Sequence, residues 1–438
     1  MGIIISNIPP KGTSDWFPDE YAIRSYIFSV WRKVVLSFGF QEYMSPILEY
    51  SEIYKAKSGE DIGKHELLSF IDRGGRELSL RPEMTPGITR IISRIYNKET
   101  KPIKYFSIAN FFRNQNTQQG RNREFWQLNY DIFGTESIIS DIEIIQIGIE
   151  IMIQFGATKD NFQVQINNRE FVDDFINKYL DLNENNKRTS LIEILDKFNK
   201  ISEEELNKNL TELGLTEINI EKIKSFILSE TIEDVIYKYP ELSSSKGYIK
   251  LNELLDMLVS IGYGEYIKYS PLLFRGFDYY NGTVFEMFPI NGTNERSLFG
   301  GGRYNGLSKI FGLKEDVFAV GAAPGDETTK LFLITNNLLP EYLKVTKRAD
   351  IYIPLLDTKF LKEVIELSKS LRMKTNYSVE CGFDQQSISK AFSFSNKNNF
   401  KYVVIIGSDE IKDKTYTIKN LYTGKQVTLP INNVNIDI

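Results

Sequence analysis

Histidine and cysteine are nearly missing from this chain, whose 438 residues include one of each, His65 and Cys381. A lone cysteine excludes a disulfide framework and a thiolate metal cluster within the chain. A lone histidine excludes a His-rich metal site or a histidine pair, so no residue is assigned as a metal ligand. A serine nucleophile with His65 as its base would need supporting groups that the surrounding sequence does not supply, and His65 is read as a surface side chain. No apolar run approaches a membrane span. The first residues, apolar at Ile3 to Ile5 and at Ile8 to Pro10, carry no signal-peptide or lipidation pattern. The expectation is a cytoplasmic, reducing setting with no membrane partner. Basic charge is not in excess either. The net charge is −5, so any nucleic-acid contact has to be local rather than a property of the whole surface. There is no internal repeat and no low-complexity tract.

What is present is globular material in quantity: 42% hydrophobic and 25% charged residues, in a length suited to two or three domains. Residues 1–20 read as irregular, and helical apolar spacing then runs over Tyr21–Phe38 and stops at Gly39. Phe40–Tyr50 is extended and interrupted by Pro46, which suits an edge strand or a subunit boundary. Gly74–Gly75 marks a turn that returns through Glu77–Arg81, and Thr85–Pro86 opens a helix with proline in its first turn. Arg81, Glu83 and Thr85 therefore occupy a strand-to-helix junction, where ligand-facing groups collect. The structural alternative is a capping Thr85 beside a solvated Glu83.

Two strands, Lys104–Phe112 and Phe125–Phe133, flank a polar loop in FRNQNTQQGRNREFWQ. Such a pair holds Arg113 rigidly and leaves Arg121 on a mobile rim. Fixed guanidiniums suit a phosphate on which charge develops, and solvated hairpin arginines are the plain alternative. Ser140–Phe155 reads as an amphipathic helix capped by Ser140 or Asp141, and Phe162–Asn168 as a strand. Residues 169–263 are rich in Asn, Lys, Glu and Leu and read as a helical insertion solvated on one face. In Ser270–Phe288, Arg275, Asp278, Tyr279 and Tyr280 precede an Asn281–Gly282 hairpin turn, and Glu286 follows on the next strand. Charged groups in such an apolar context need partners. Gly300 to Gly302 allow either a close backbone approach to a ligand or a loose turn. Val317–Ile334 reads as a small-residue strand entering a helix whose N-terminus can face an anion. Past a polar linker the pattern is strand Ile351–Leu355, helix Phe360–Leu371, strand Thr375–Val379, helix Gln386–Ser393, strand Tyr402–Ile406. Two more strands follow, near Tyr416–Lys419 and Gln426–Leu429. A compact α/β domain with a largely parallel sheet and a mild basic excess is expected.

Taken in order, these segments resemble histidyl-tRNA synthetase, a class II aminoacyl-tRNA synthetase, over nearly the whole chain. LRPEMTPGITR (Leu80–Arg90) is similar to the family's LRPE-x-T segment, Phe112–Gln127 to class II motif 2, and Phe40–Tyr50 to motif 1. LFRGFDYYNGTVFE (Leu273–Glu286) resembles the histidine-specific signature, GGGRYNGL (Gly300–Leu307) a family glycine motif, and YVVIIGSDE (Tyr402–Glu410) part of the anticodon-binding domain. The resemblance implies an α+β class II core, an antiparallel sheet flanked by helices, interrupted by a helical insertion and followed by an α/β anticodon-binding domain. The implied division is 1–168 and 264–335 for the core, 169–263 for the insertion, 336–348 for a linker and 349–438 for the anticodon-binding domain.

It further implies ATP-dependent ligation of histidine to tRNA(His) through histidyl-adenylate, with Mg2+ bridging the phosphates and a homodimer as the assembly. Arg113 and Arg275 become the catalytic arginines on the α-phosphate, and Arg121 reaches the γ-phosphate end. Glu83, Thr85, Gln127 and Asp131 hold histidine, and Tyr279 and Tyr280 line its imidazole pocket. The sequence departs from the family in three places. Asp326 and Thr328 stand where motif 3 has leucine and arginine, with Arg303 or Lys330 as possible substitutes. Gln115 replaces an acid of motif 2, and Asp131 stands where glutamate is common. The degraded motif 3 keeps a second reading open, a non-catalytic paralogue such as a histidine-sensing regulatory subunit of ATP phosphoribosyltransferase. A generic nucleotide-binding protein with an α/β partner module is the reading free of any resemblance.

Overall fold

The structure, a computed structural model, describes residues 6–56, 66–182, 184–198, 201–273, 280–290, 296–344, 347–434 and 436. Its contacts divide the chain into two compact units, Met1–Leu339 and Pro340–Ile438.

The first unit is built on β1 (Gln41–Glu42), β2 (Leu48–Tyr50), β3 (Ser69–Ile71), β4 (Glu77–Leu80), β5 (Ile103–Phe112), β6 (Glu124–Phe133), β7 (Phe162–Asn168), β8 (Ile267–Tyr269), β9 (Thr283–Pro289), β10 (Phe299–Arg303) and β11 (Ala319–Ala322). Eight of them form one sheet in the order β1-β5-β6-β11-β10-β9-β7-β8, and β2-β4-β3 form a small second sheet. The interior pairings of the large sheet are antiparallel, and the outermost ones, β1 with β5 and β7 with β8, are parallel. Alternation along β6 sorts its two faces. Leu128, Tyr130 and Ile132 enter the core with Phe106 and Ile108 of β5, whereas Gln127, Asn129 and Asp131 line a cavity. The core side is closed by the helices Pro18–Ser37, which brings Trp31, and Ile138–Gln154. Each large apolar side chain removed from water there contributes about 1.5–3 kcal/mol.

Between the parallel strands β7 and β8 lie the helices Arg169–Phe175, Asn185–Asp196, Glu203–Glu212, Glu217–Ile227, Ile232–Lys238 and Lys246–Leu258. Parallel neighbours need a long crossover, and this segment supplies one with its own aromatic interior. The Phe175 and Phe226 rings stack at 4.1 Å between centroids.

Several local expectations change. The first helix begins at Pro18, with proline in its opening turn, inside the segment read as irregular. Thr85 does not cap its helix: Met84 is the N-cap residue and makes no side-chain capping bond. Ser137, not Ser140 or Asp141, caps the helix Ile138–Gln154 by accepting from the Ile139 N–H. That helix is buried on most of its circumference, because it is packed against the sheet and two other helices at once. No hairpin forms at Asn281–Gly282, since β9 already has β7 on one side and β10 on the other. Neither residue has the positive φ that a two-residue turn of that type requires. The three glycines are strand rather than loose turn.

The second unit has β12 (Ile351–Leu355), β13 (Val379–Gln385), β14 (Tyr402–Ile405), β15 (Thr415–Asn420) and β16 (Gln426–Pro430), in the order β13-β12-β14-β15-β16. Only β12 with β13 and β12 with β14 are parallel, and the other pairings are antiparallel. The sheet is mixed rather than largely parallel because the link from Ile405 to Thr415 is too short for a crossover. The strand expected at Thr375–Val379 instead starts at Val379.

Candidate active site

The uncovered side of β6 opens into a cavity of about 360 Å³ lined by Glu83, Thr85, Arg113, Gln127, Asp131 and Tyr280, among others. Arg113 follows the last residue of β5, and its backbone N–H donates to the Arg123 carbonyl at 2.8 Å, closing the loop that leads to β6. Its Nε donates to the Pro82 carbonyl at 3.0 Å, and its guanidinium carbon lies 5.1 Å from the centre of the Phe125 ring. The Phe112 N–H donates to the Arg81 carbonyl at 3.0 Å, so the strand end and the turn after β4 hold each other. Arg81 serves that junction as a strut. It is buried, donating to the Asn110 and Ser45 carbonyls at 2.8 and 2.9 Å, and does not line the cavity. Glu83 and Thr85 do line it, and Glu83 is buried rather than solvated.

Asp131 is a second buried acid of the cavity. Tyr304 donates to its Oδ1 at 2.6 Å, and burial pushes its pKa up to about 7, with the Tyr304 hydrogen bond holding the rise back. The carboxylate fits only because residue 321 on the neighbouring strand is glycine. A Cβ there would stand 1.9 Å from Asp131 Oδ1. Tyr280 packs edge-on against Tyr304, ring centres 6.4 Å apart. Gly302 makes room for Tyr280, whose ring carbon would lie 3.0 Å from a Cβ at that position. Tyr304 and Gly321 are site residues that alternation alone did not single out, although Tyr304 stands inside the glycine motif.

At the mouth, Arg121 is engaged by two side chains of the protein. Its Nη2 pairs with Glu66 at 2.5 Å and its Nε donates to Gln115 Oε1 at 2.5 Å. Gln115 in turn donates to the Asn122 carbonyl at 2.6 Å, so a neutral amide braces the loop. The helix Asp326–Thr335 does not offer its N-terminus to an anion. Its own first residue, Asp326, accepts from the Trp126 N–H at 3.0 Å and pairs with Arg24, which also pairs with Glu327. Arg24 lies 3.6 Å over the Trp16 ring, and both Arg24 and Asp326 are buried. Thr328 spends its hydroxyl on the Leu298 and Gly325 carbonyls.

Neither substitute considered for the motif 3 arginine reaches the cavity. Arg303 is buried in a pair with Asp141 and donates to Ser140 Oγ at 2.8 Å. Lys330 lies 3.9 Å from Glu20, and neither side chain lines the cavity. An arginine that sequence reasoning missed, Arg296, does line it. Arg275, Asp278, Tyr279 and His65 lie outside the described residues. Among the described residues no group of three or more His, Cys, Asp or Glu is placed to hold a metal ion.

Comparison with known proteins identifies the family and the fold. A family model described as histidyl-tRNA synthetase matches residues 12–325, and one described as an anticodon binding domain matches residues 350–435. A histidine–tRNA ligase of Leptospira biflexa is 36% identical over 423 residues, 95% of this chain and 94% of that protein. One of Thermococcus kodakarensis is 35% identical over 426 residues, 96% and 95% of the two chains. Among solved structures, a histidyl-tRNA synthetase from Nostoc sp. PCC 7120 superposes with a TM-score of 0.81 at 24% identity, covering 98% of this chain and 97% of that one. A Bacillus halodurans protein described as an ATP phosphoribosyltransferase regulatory subunit/histidyl-tRNA synthetase superposes at 0.75 and 22% identity, covering 92% and 99%. These structures share the class II synthetase fold, and the sequence matches extend over both units. The chain therefore belongs to the histidyl-tRNA synthetase family, and the relatives named above at 35–36% identity are histidine–tRNA ligases.

Proposed function

We propose that this chain activates histidine with ATP as histidyl-adenylate and transfers it to the 3′ end of tRNA(His). The observation that carries the reading is one cavity in which two buried acids, Glu83 and Asp131, stand with a fixed arginine, Arg113. Buried acids suit the cationic groups of histidine, and polar pockets discriminate substrates that apolar ones cannot. Thr85 and Gln127 complete the cradle and Tyr280 gives the imidazole an aromatic wall, with Tyr279 carried over from the family signature.

In the reaction, a carboxylate oxygen of histidine attacks the α-phosphorus and the bond to pyrophosphate breaks. Charge builds on the phosphoryl oxygens, where Arg113 and, by resemblance, Arg275 stabilise it. The terminal ribose hydroxyl of tRNA then attacks the acyl carbon and AMP leaves. Magnesium enters with ATP as part of the substrate. That suits a cavity of scattered carboxylates, because such an ion is carried by phosphate oxygens and completed by one or two acids.

The core, insertion, linker and anticodon-binding divisions given above are retained as the working domain assignment. Phe383 of β13 is almost fully exposed and supports base stacking by the second unit. Exposed Leu48, Tyr50, Phe70 and Ile71 on the small sheet support a homodimer. No helix among the described residues is long and apolar enough to cross a membrane. Action on tRNA during protein synthesis is assigned to the cytoplasm.

The regulatory-subunit reading draws on neutral Thr328 and on the Bacillus halodurans neighbour. The matched anticodon-binding domain weighs against it. Charging of a tRNA(His) transcript with labelled histidine decides: ATP-dependent charging is expected of a ligase, and histidine binding without charging is expected of a sensor.

A further inference from the structure

We propose that Arg296 binds the β- and γ-phosphate end of the nucleotide, which rests on the reading of the cavity as an ATP site. A triphosphate spreads its charge over a length that one fixed guanidinium at the α-phosphate cannot cover, so its far end needs a cation of its own. Among the described residues the arginines lining the cavity are Arg113, Arg121 and Arg296. Arg113 is anchored beside Phe125 and by Pro82, the residue before Glu83, and on the proposed reading it serves the reacting phosphorus. Arg121 and Arg296 come from different loops that meet at Gln118, which pairs with the backbone of the one and the guanidinium of the other.

That meeting point is closely knit. The Arg296 guanidinium donates to Gln118 Oε1, and Gln118 is paired through its backbone with Arg121, N–H to carbonyl in both directions at 3.0 and 2.9 Å. Two residues on, the Leu298 carbonyl accepts the Thr328 hydroxyl at 2.8 Å. A Cβ on Gly120, the neighbour of Arg121, would lie 3.9 Å from Thr328. The tip of the loop between β5 and β6, the approach to β10 and the start of the helix Asp326–Thr335 thus converge on one spot. The helix contributes carboxylates and a neutral threonine there, Lys330 and Arg303 are turned away, and Arg296 supplies the cation. It is exposed and held to the loop by a neutral amide. A phosphate can replace that amide with charge-assisted bonds roughly twice as strong.

The test is calorimetric titration of the full chain with ATP and, separately, AMP, each with magnesium, for the wild type, Arg296→Ala and Arg296→Lys. Arg296→Ala is expected to weaken ATP about tenfold to a hundredfold and to leave AMP unchanged. Arg296→Lys is expected to fall between. Unchanged thermal midpoints confirm that the variants fold. ATP bound equally by the wild type and Arg296→Ala, or ATP and AMP weakened alike, overturns the assignment and leaves the ATP site standing. A wild type that binds neither nucleotide overturns both.

Discussion

The two ends of the cavity are built in opposite ways. The acid end rests on regular elements: Asp131 in the middle of β6, Gly321 beneath it on β11, Tyr304 just past β10, and Glu83 beside the first turn of a helix. The phosphate end rests on loops, with Arg121 and Arg296 joined through Gln118 and braced by Gln115 and Glu66. Strand register fixes a side chain to a fraction of an ångström, so the acid end is ready before substrate arrives. Loop arginines must exchange protein partners for phosphate oxygens. On the proposed reading, histidine recognition is preorganised, whereas the grip on the nucleotide tail forms by substitution of partners.

The largest expected effect tests the joint between the two ends. Arg24→Met strands the buried Asp326 carboxylate without its cation, which costs about 3–5 kcal/mol and is read in chemical unfolding. Adding Asp326→Leu should recover most of the loss, because an apolar pair can replace a buried ion pair at little cost. No recovery would show that Asp326 matters for more than its pairing. Next comes Arg113→Ala, expected to lower kcat for adenylate formation by about 10²–10³-fold with the histidine KM nearly unchanged. A loss confined to KM would move Arg113 from the reaction to simple binding.

Gly321→Ala sharpens the acid end alone. Its methyl group would displace Asp131, an overpacking worth about 1–3 kcal/mol. The histidine KM should rise about tenfold while the ATP KM holds, as steady-state kinetics would show. A parallel rise in both would deny that the ends are separable.

The smallest effect is pH dependence. The Asp131 pKa is raised to about 7, above its ordinary value of about 3.9. The folded chain therefore holds a proton between those values that the unfolded chain has lost. The stability contributed by this group falls as pH rises through that window. A substrate cation beside Asp131 favours the ionised form, so histidine affinity should climb toward pH 7 by at most about tenfold per unit. Asp131→Asn should remove that part of the slope and leave the part due to histidine's own imidazole. Superimposable curves would place no titration at Asp131.

The difference between the ends also explains what was legible in the sequence. Period-two alternation located β5 and β6 to within a residue, because a half-buried strand must alternate, whereas Gln127 and Asp131 were named only through the family resemblance. Arg296 gave no such signal, since it sits in an aperiodic stretch and is defined by a contact with Gln118, 178 positions away. Ser140 looked like a helix cap because capping chemistry is local, yet its hydroxyl is used by Arg303, a partner that only the fold supplies. Arg303 and Lys330 looked available for the same reason and are occupied by Asp141 and Glu20. The mixed sheet of the second unit depended on the length of one connection, which strand-by-strand reading does not weigh.

The most direct test of the central claim is amino-acid-dependent ATP–pyrophosphate exchange by the full chain, with histidine set against other amino acids. The account predicts exchange with histidine alone, falling by at least about a hundredfold in Arg113→Ala. Histidine binding without exchange, or exchange indifferent to Arg113, would contradict it.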